Sequence, residues 1–304
     1  MRPRARTGPY RRITLALLGS ATACATLGLR ARPGLGRHGP EGGAGLRADG
    51  VTVRFGDVVA VRGAALEAPA GAVTGLVGPA GAGKSTLLDA LSGLRRAEAG
   101  RVRLGDGDLT GRAAARARRG LGRTFERPVA FGGLTVRENV QVAAEIHAMT
   151  RPVAGRGPRD RRRRRRAARR DAGSVADALL ARVGIAEYAG RRAAGLPPGP
   201  ARLLELARAL AARPSVLLLD EPFAGLPEAA SRSLEVLLRD LAAEGLAVVV
   251  AAPEVEPVLG VCDTLYLLDA GRVTASGPPL EVARRVTRCR SSGAAGPPQR
   301  PARA

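Results

Sequence analysis

Residues 72–94 read AVTGLVGPAGAGKSTLLDALSGL, the most informative segment of the chain for its fold. Residues 72–77 form a short apolar run typical of a buried strand, whereas residues 84–94 predict a helix. Between them, residues 78–85 match the pattern GxxxxGK[ST] in the strand-to-helix context that this pattern requires. Backbone N–H groups of such a loop surround phosphate oxygens, the lysine reaches the terminal phosphates, and the hydroxyl can ligate Mg²⁺. The stretch therefore predicts a nucleotide-phosphate site.

The lysine of this loop is Lys84. Lys84 is the only lysine in a chain with 49 lysines and arginines, so a glycine-rich turn that contains a lysine by chance is a poor alternative. Arginine cannot easily take its place, because the guanidinium is bulkier than a compact ammonium. The predicted nucleotide ligands are Gly78, Pro79, Ala80, Gly81, Ala82, Gly83, Lys84, Ser85 and Thr86.

Two acidic residues follow a second apolar run, 215–220. A carboxylate at the end of a buried strand, Asp220, can hold Mg²⁺ together with Ser85, and the next residue, Glu221, can polarise an attacking water as the catalytic base. Asp-Glu after an apolar run is weak evidence alone. Combined with the phosphate loop, it favours nucleotide hydrolysis or switching.

Apolar runs and amphipathic segments alternate along the rest of the chain. Thr135 and Glu138 form a capping box that predicts a helix from 136 to about 148. Strand and helix in alternation indicate an α/β fold with a parallel sheet. The further predicted strands are 51–55, 215–220, 246–251 and 264–269.

Composition excludes several classes of protein. With 45% apolar residues the chain is not wholly disordered, and its three cysteines and two histidines fit neither a disulfide scaffold nor a zinc site. The net charge of +22 divides into +8 in residues 1–47, +10 in 151–170, +6 in 282–304 and −2 elsewhere. The compact part is therefore nearly neutral.

The basic segments set the predicted domain limits. Residues 1–45 carry an apolar run after arginines, which is typical of a signal peptide or short anchor, or else of a disordered extension or mis-called start. We predict one domain over 46–280, with 155–170 as an exposed loop or frayed helix because its like charges repel, and a disordered tail over 281–304.

Over roughly residues 46–280, the chain resembles the ATP-binding cassette (ABC) ATPases, and in particular the subunits that power branched-chain amino-acid importers. The resemblance implies a RecA-like P-loop NTPase core with a parallel sheet, an antiparallel β subdomain and a helical subdomain at about 126–205. The segments that carry it are GLVGPAGAGKSTLLDALSGL (75–94), RTFERPVAFGGLTVRENV (123–140), LPPGPARLLELARALAARPSVLLLDEPFAGL (196–226) and CDTLYLLDAGRVTASGPP (262–279).

The resemblance also implies ligands and partners. ATP and Mg²⁺ would bind here, with Phe55 stacked on adenine unless it is a core strand residue, and with Glu126 offering an oxygen to Mg²⁺. Two cassettes, identical or different, would pair head to tail and contact two membrane permeases at the cytoplasmic face of the plasma membrane. A solute-binding protein would act indirectly.

Four positions depart from the family pattern. Glu126 replaces a glutamine, and the LSGGQ-like segment reads Leu-Pro-Pro-Gly-Pro at 196–200, with Pro200 the unusual residue. Pro227 and Pro253 stand where the family has an acidic or amide residue and a switch histidine. Because proline offers neither an N–H nor a polar side chain, these changes predict retained ATP binding and slow turnover.

Three functions follow as hypotheses. The first is an ABC importer ATPase, and the second is a degenerate cassette that holds Mg-ATP while a partner cassette hydrolyses it. The third is nucleic-acid binding through Arg161–Arg166 and the tails, which salt-sensitive contacts to phosphates would permit. Since only seven aromatic residues are present and no stacking platform is visible, we expect no specific nucleic-acid partner.

Overall fold

A six-stranded sheet and a four-stranded sheet form the frame of the computed structural model, which describes residues 45–150 and 158–291. The strands are β1 (Leu46–Phe55), β2 (Val58–Ala68), β3 (Val73–Val77), β4 (Ala99–Leu104), β5 (Gly107–Asp108), β6 (Leu121–Arg123), β7 (Val216–Asp220), β8 (Ala247–Ala252), β9 (Thr264–Asp269) and β10 (Arg272–Gly277). The helices are α1 (Lys84–Ser92), α2 (Ala113–Arg118), α3 (Val136–Thr150), α4 (Pro158–Arg182), α5 (Pro198–Ala211), α6 (Glu228–Ala243), α7 (Glu256–Leu259) and α8 (Pro279–Ser291).

The larger sheet has the order β10-β9-β3-β8-β7-β6, and all neighbours are parallel except β10 and β9. Strands β3, β7 and β8 are buried at every position because other layers cover both faces, which explains their continuous apolar sequences. The second sheet, β2-β1-β4-β5, is antiparallel throughout. The predicted α/β cassette fold with an antiparallel β subdomain is thereby confirmed.

The chain forms a helical layer between β6 and β7. Helices α3, α4 and α5 share one apolar core that includes Val140, Ala176, Leu180 and Leu204. The predicted capping box is confirmed at the start of α3, where Thr135 N donates to Glu138 Oε2 over 2.8 Å and Glu138 N donates to Thr135 Oγ1 over 3.1 Å. This layer corresponds to the expected helical subdomain, whose limits at about 126–205 stay a prediction.

Of the two predictions for 155–170, an exposed loop is wrong for the described part, which belongs to the 25-residue helix α4, and fraying of that helix stays a prediction. The second half of α4 buries Ala172, Ala176, Leu179 and Leu180 against the helical core, which anchors the helix. Repulsion between exposed like charges costs only about 0.2–0.5 kcal/mol per pair and is screened by salt. Packing therefore outweighs charge, and the helix continues through the arginine run.

The predicted tail is also partly helical. Helix α8 begins at Pro279 and buries Val282 to 1% exposure, so the boundary at 280 is wrong. Residues 1–44, 151–157 and 292–304 lie outside the described residues, and with them the expectations for the N-terminal extension and the end of the tail. Among the described residues, no helix is both long and apolar enough to cross a membrane.

Candidate nucleotide site

The predicted phosphate loop, residues 78–83, follows β3 at the carboxyl edge of the larger sheet. Strand β3 lies between β8 and β9, so the loop starts from the end of a fully buried strand in the interior of the sheet. Gly83 has φ 104°, and a Cβ there would lie 2.6 Å from the Ala60 carbonyl oxygen of β2. Glycine is required at this position because the loop is held tightly against the second sheet.

Lys84 folds back over this loop. Its Nζ donates to the Gly78 carbonyl oxygen over 2.7 Å and to the Pro79 carbonyl oxygen over 3.0 Å, and the residue is 5% exposed. Burial lowers the pKa of Lys84, while the carboxylates of Glu221 and Asp220 act in the opposite direction. The ammonium is therefore held at the loop by interactions that phosphate oxygens can replace.

Ser85 and Asp220 face each other across the edge. Ser85 Oγ donates to Asp220 Oδ1 over 3.1 Å, and Asp220 is 2% exposed at the end of β7. Burial raises the pKa of Asp220, and Arg123 and Ser85 oppose that rise. A hydroxyl beside a carboxylate is a set of hard oxygen donors, which is the kind Mg²⁺ prefers, so these residues fit the expected ion.

Arg123, at the end of β6, is a residue beside Asp220 that sequence reasoning missed. Its Nη2 lies 3.3 Å from Asp220 Oδ2, and its Nη1 lies 2.5 Å from Asp89 Oδ1. The residue lies in a stretch used for the family resemblance, but one arginine among so many carries no signal of its own. Only the topology, which pairs β6 with β7, places it beside Asp220.

Glu221 adopts φ 49°, a left-handed conformation that is uncommon for a residue with a side chain. Two backbone contacts hold it: its N–H donates to the Ala251 carbonyl oxygen over 2.9 Å, and its carbonyl accepts from Arg202 Nη1 over 2.9 Å. Burial raises the pKa of Glu221, and so does the charge of the exposed Glu126. A carboxylate with a raised pKa is a better proton acceptor at neutral pH.

Phe55 ends β1 and is 42% exposed, so the alternative interpretation as a core residue is wrong. The Arg95 guanidinium carbon lies 3.8 Å from its ring centroid. An aromatic ring of this exposure can stack on a base, and the role of Phe55 at adenine stays a prediction. Arg95, which no sequence pattern marks, already covers the ring.

Comparison with known proteins decides the family. The family model described as "ABC transporter" matches residues 61–224, which is more than half of the chain. This chain belongs to the ABC transporter family. A probable ABC transporter ATP-binding protein of Azorhizobium caulinodans is 35% identical over 244 residues, which cover 80% of each chain.

Two further relatives agree with this assignment. The high-affinity branched-chain amino acid transport ATP-binding protein LivG of Escherichia coli K12 is 33% identical over 241 residues, covering 78% of this chain and 92% of LivG. The crystal structure of a nucleotide-free ATP-binding cassette from an ABC transporter superposes with a TM-score of 0.65. It is 25% identical and covers 80% of this chain and 95% of that one.

Residues 196–200, the predicted LSGGQ-like segment, lie at the start of α5, which begins at Pro198. Pro197 is the N-cap, Pro198 and Gly199 follow it, and Pro200 is buried. Of the residues 197–200, only Gly199 carries an N–H, because proline has none. A helix N-terminus normally presents several free N–H groups to an anion, so this one is depleted of donors.

Pro227 and Pro253 are the other two prolines that depart from the family pattern. Pro227 is the N-cap of α6. The exposed Pro253 directly follows β8, which lies between β3, the strand before the phosphate loop, and β7, the strand before Glu221. That Pro253 replaces a switch histidine stays a prediction; its proline side chain offers no hydrogen bond.

Glu205 of α5 is a second residue that sequence reasoning missed. Its Oε1 accepts the Phe125 N–H over 3.1 Å, and burial raises its pKa to about 7. The carboxyl borders a small cavity between α5, β7 and α6. One turn further along α5, Arg208 donates to the Val129 carbonyl oxygen. Together they fasten residues 125–129, and with them Glu126, to the helix that starts in the LSGGQ-like segment.

Proposed function

We propose that this chain is the ATP-binding and hydrolysing subunit of an ABC importer for branched-chain amino acids or related solutes. The observation that carries the proposal is the phosphate loop itself, where Lys84 and the Ser85–Asp220 pair meet at one sheet edge in a member of this family. The solute class rests on the likeness to LivG over most of both chains.

Each residue has a task in this proposal. Lys84 exchanges the carbonyl oxygens of the loop for the terminal phosphates, while the loop N–H groups surround them. Ser85 and Asp220 would hold Mg²⁺, with Glu126 nearby, and the ion supplies charge neutralisation on the phosphate oxygens. Glu221 orients a water and accepts its proton, because its raised pKa suits it for that transfer.

The partners follow from the family. A second ABC cassette, identical or different, would complete the site head to tail, and two permease subunits would bind the helical layer. A solute-binding protein would deliver the solute to the permeases. The chain would then act as a peripheral protein at the cytoplasmic face of the plasma membrane.

The donor-poor start of α5 favours a second candidate function. In it, this chain binds Mg-ATP and supports dimer closure while a partner cassette hydrolyses its own ATP. Loss of one transition-state donor costs about 10²–10³-fold in rate, and this chain lacks donors at both Pro200 and Pro253.

ATP turnover of the purified chain, alone and mixed with its partner cassette, tests both functions. The importer ATPase predicts slow turnover that Glu221→Gln abolishes while ATP binding persists. Turnover that Glu221→Gln leaves unchanged would contradict it. The second function predicts that Glu221→Gln leaves the rate of the mixture intact, and brisk turnover by this chain alone would reject that function.

A further inference from the structure

Arg123 connects three elements behind the phosphate loop. Its side chain is 6% exposed and lies between β6, which carries it, the helix α1 and the end of β7. Nη1 donates to Asp89 Oδ1 over 2.5 Å and to Ser92 Oγ over 3.0 Å. Nη2 donates to Asp220 Oδ2 over 3.3 Å and lies 3.5 Å from the Ser85 carbonyl oxygen.

These contacts fix the direction of the Asp220 carboxylate. One of its oxygens, Oδ2, faces the arginine, and the other, Oδ1, accepts the hydroxyl of Ser85. A planar guanidinium can hold Asp220 and Asp89 at once through two different nitrogens, whereas an ammonium is a point charge and cannot reproduce this geometry. Asp220 is therefore held from both sides, with the oxygen that faces Ser85 set toward the predicted ion.

We propose that Arg123 is a positioning residue that sets how much Mg²⁺ strengthens nucleotide binding. This inference rests on the proposed function, since it presumes that Ser85 and Asp220 hold the ion. Residues that orient metal ligands typically contribute about 10–100-fold to metal affinity. If Arg123 only stabilised the fold, its substitution would change the ATP affinity by the same factor in the presence and in the absence of Mg²⁺.

The test is calorimetric titration of the full chain with ATP, once with Mg²⁺ and once with EDTA. The ratio of the two affinities is the readout. We expect Arg123→Lys and Arg123→Gln to keep the affinity measured in EDTA and to reduce the Mg²⁺-dependent gain by about tenfold or more. Thermal unfolding of each variant establishes that it is folded.

Arg116→Lys is the matched control. Arg116 also grips α1, since its Nη1 donates to the carbonyl oxygens of Ala90 and Leu91 over 2.8 and 2.7 Å. We expect this variant to keep the wild-type ratio. If both Arg123 variants are unfolded, Asp89→Asn loosens the same arginine from α1, and a reduced ratio is again expected.

The outcomes distinguish failure of the positioning role of Arg123 from failure of the proposed function. Arg123 variants that keep the wild-type ratio, or that lose affinity equally in both titrations, would overturn the positioning role. The same holds for Asp89→Asn if that variant has to stand in for them. A wild-type chain that binds no ATP, or that gains nothing from Mg²⁺, would instead overturn the proposed function.

Discussion

Glu205 gives a residue-scale prediction about pH. Burial raises its pKa from 4.5 to about 7, so the folded state prefers the protonated carboxyl. The stability that this preference contributes is complete below about pH 4.5 and is lost as the pH rises through about 7. Glu205→Gln, which stays neutral, should gain about 1–3 kcal/mol in free energy of unfolding relative to wild type between pH 5 and pH 8.

Urea denaturation at the two pH values measures this difference. Glu187→Gln removes an exposed carboxylate outside the site and should show no such change. If Glu205→Gln and wild type respond to pH in parallel, the carboxyl of Glu205 is ionised throughout and its assigned burial is wrong.

Residues could be predicted only where a pattern marks them. Lys84, Ser85 and Asp220 belong to sequence patterns whose spacing reflects one strand and one loop, so the sequence alone singles them out. Arg123 and Glu205 act through neighbours 97 and 80 positions away, at Asp220 and Phe125. No local pattern reports such a contact, because it exists only once β6, β7 and α5 are assembled.

Gly83 carries the first prediction at the scale of an element, the phosphate loop. Gly83 and Gly81 both have positive φ, 104° and 81°, so alanine strains the backbone at either position. Only at Gly83 does the added Cβ meet another atom, the Ala60 carbonyl oxygen. Gly83→Ala should therefore destabilise the chain by about 1–3 kcal/mol more than Gly81→Ala and should weaken ATP binding further.

Thermal unfolding and ATP titration of the two variants check this prediction. Equal effects would mean that the loop does not pack against β2 as closely as described.

The start of α5 gives the second element-scale prediction. Pro200→Gln restores an N–H and an amide side chain to the donor-poor helix start. Mixed with its partner cassette, the variant should turn ATP over about tenfold faster or more, since one lost donor costs about 10²–10³-fold. Ala201→Gln is the control, because its N–H already bonds to the Pro197 carbonyl oxygen. Equal rates for Pro200→Gln and wild type would show that the missing donors do not limit turnover.

The strands and helices could be predicted from the sequence where burial and local sequence signals agree. Strands β3 and β7 were found because a fully buried parallel strand must be apolar along its whole length. Helix α1 ends at Ser92 rather than at 94, since Gly93 adopts φ 76° and closes it. The charge of the arginine run did not predict the full length of α4, because the apolar residues that pack this helix against the core follow the arginines in the sequence.

At the scale of the whole molecule, the larger sheet and the helical layer contact each other at the edge where the candidate nucleotide site lies. Lys84, Ser85, Asp220 and Glu221 meet at the carboxyl edge of the larger sheet, and the helical layer reaches the same edge through Glu205 and residues 125–129. A change at the phosphates can therefore reach α5 through these contacts, as the proposed function of driving a permease would require. The resemblance supplied this architecture, whereas the contacts that join its parts came only from the folded chain.

Calorimetric titration of the folded chain with Mg-ATP shows whether the loop around Lys84 binds ATP. We expect saturable heat from one site per chain, with a dissociation constant between about 1 μM and 1 mM as is common for enzyme substrates, and loss of that heat in Lys84→Ala. No heat from the folded wild-type chain at millimolar ATP, or equal heat from Lys84→Ala, would contradict it.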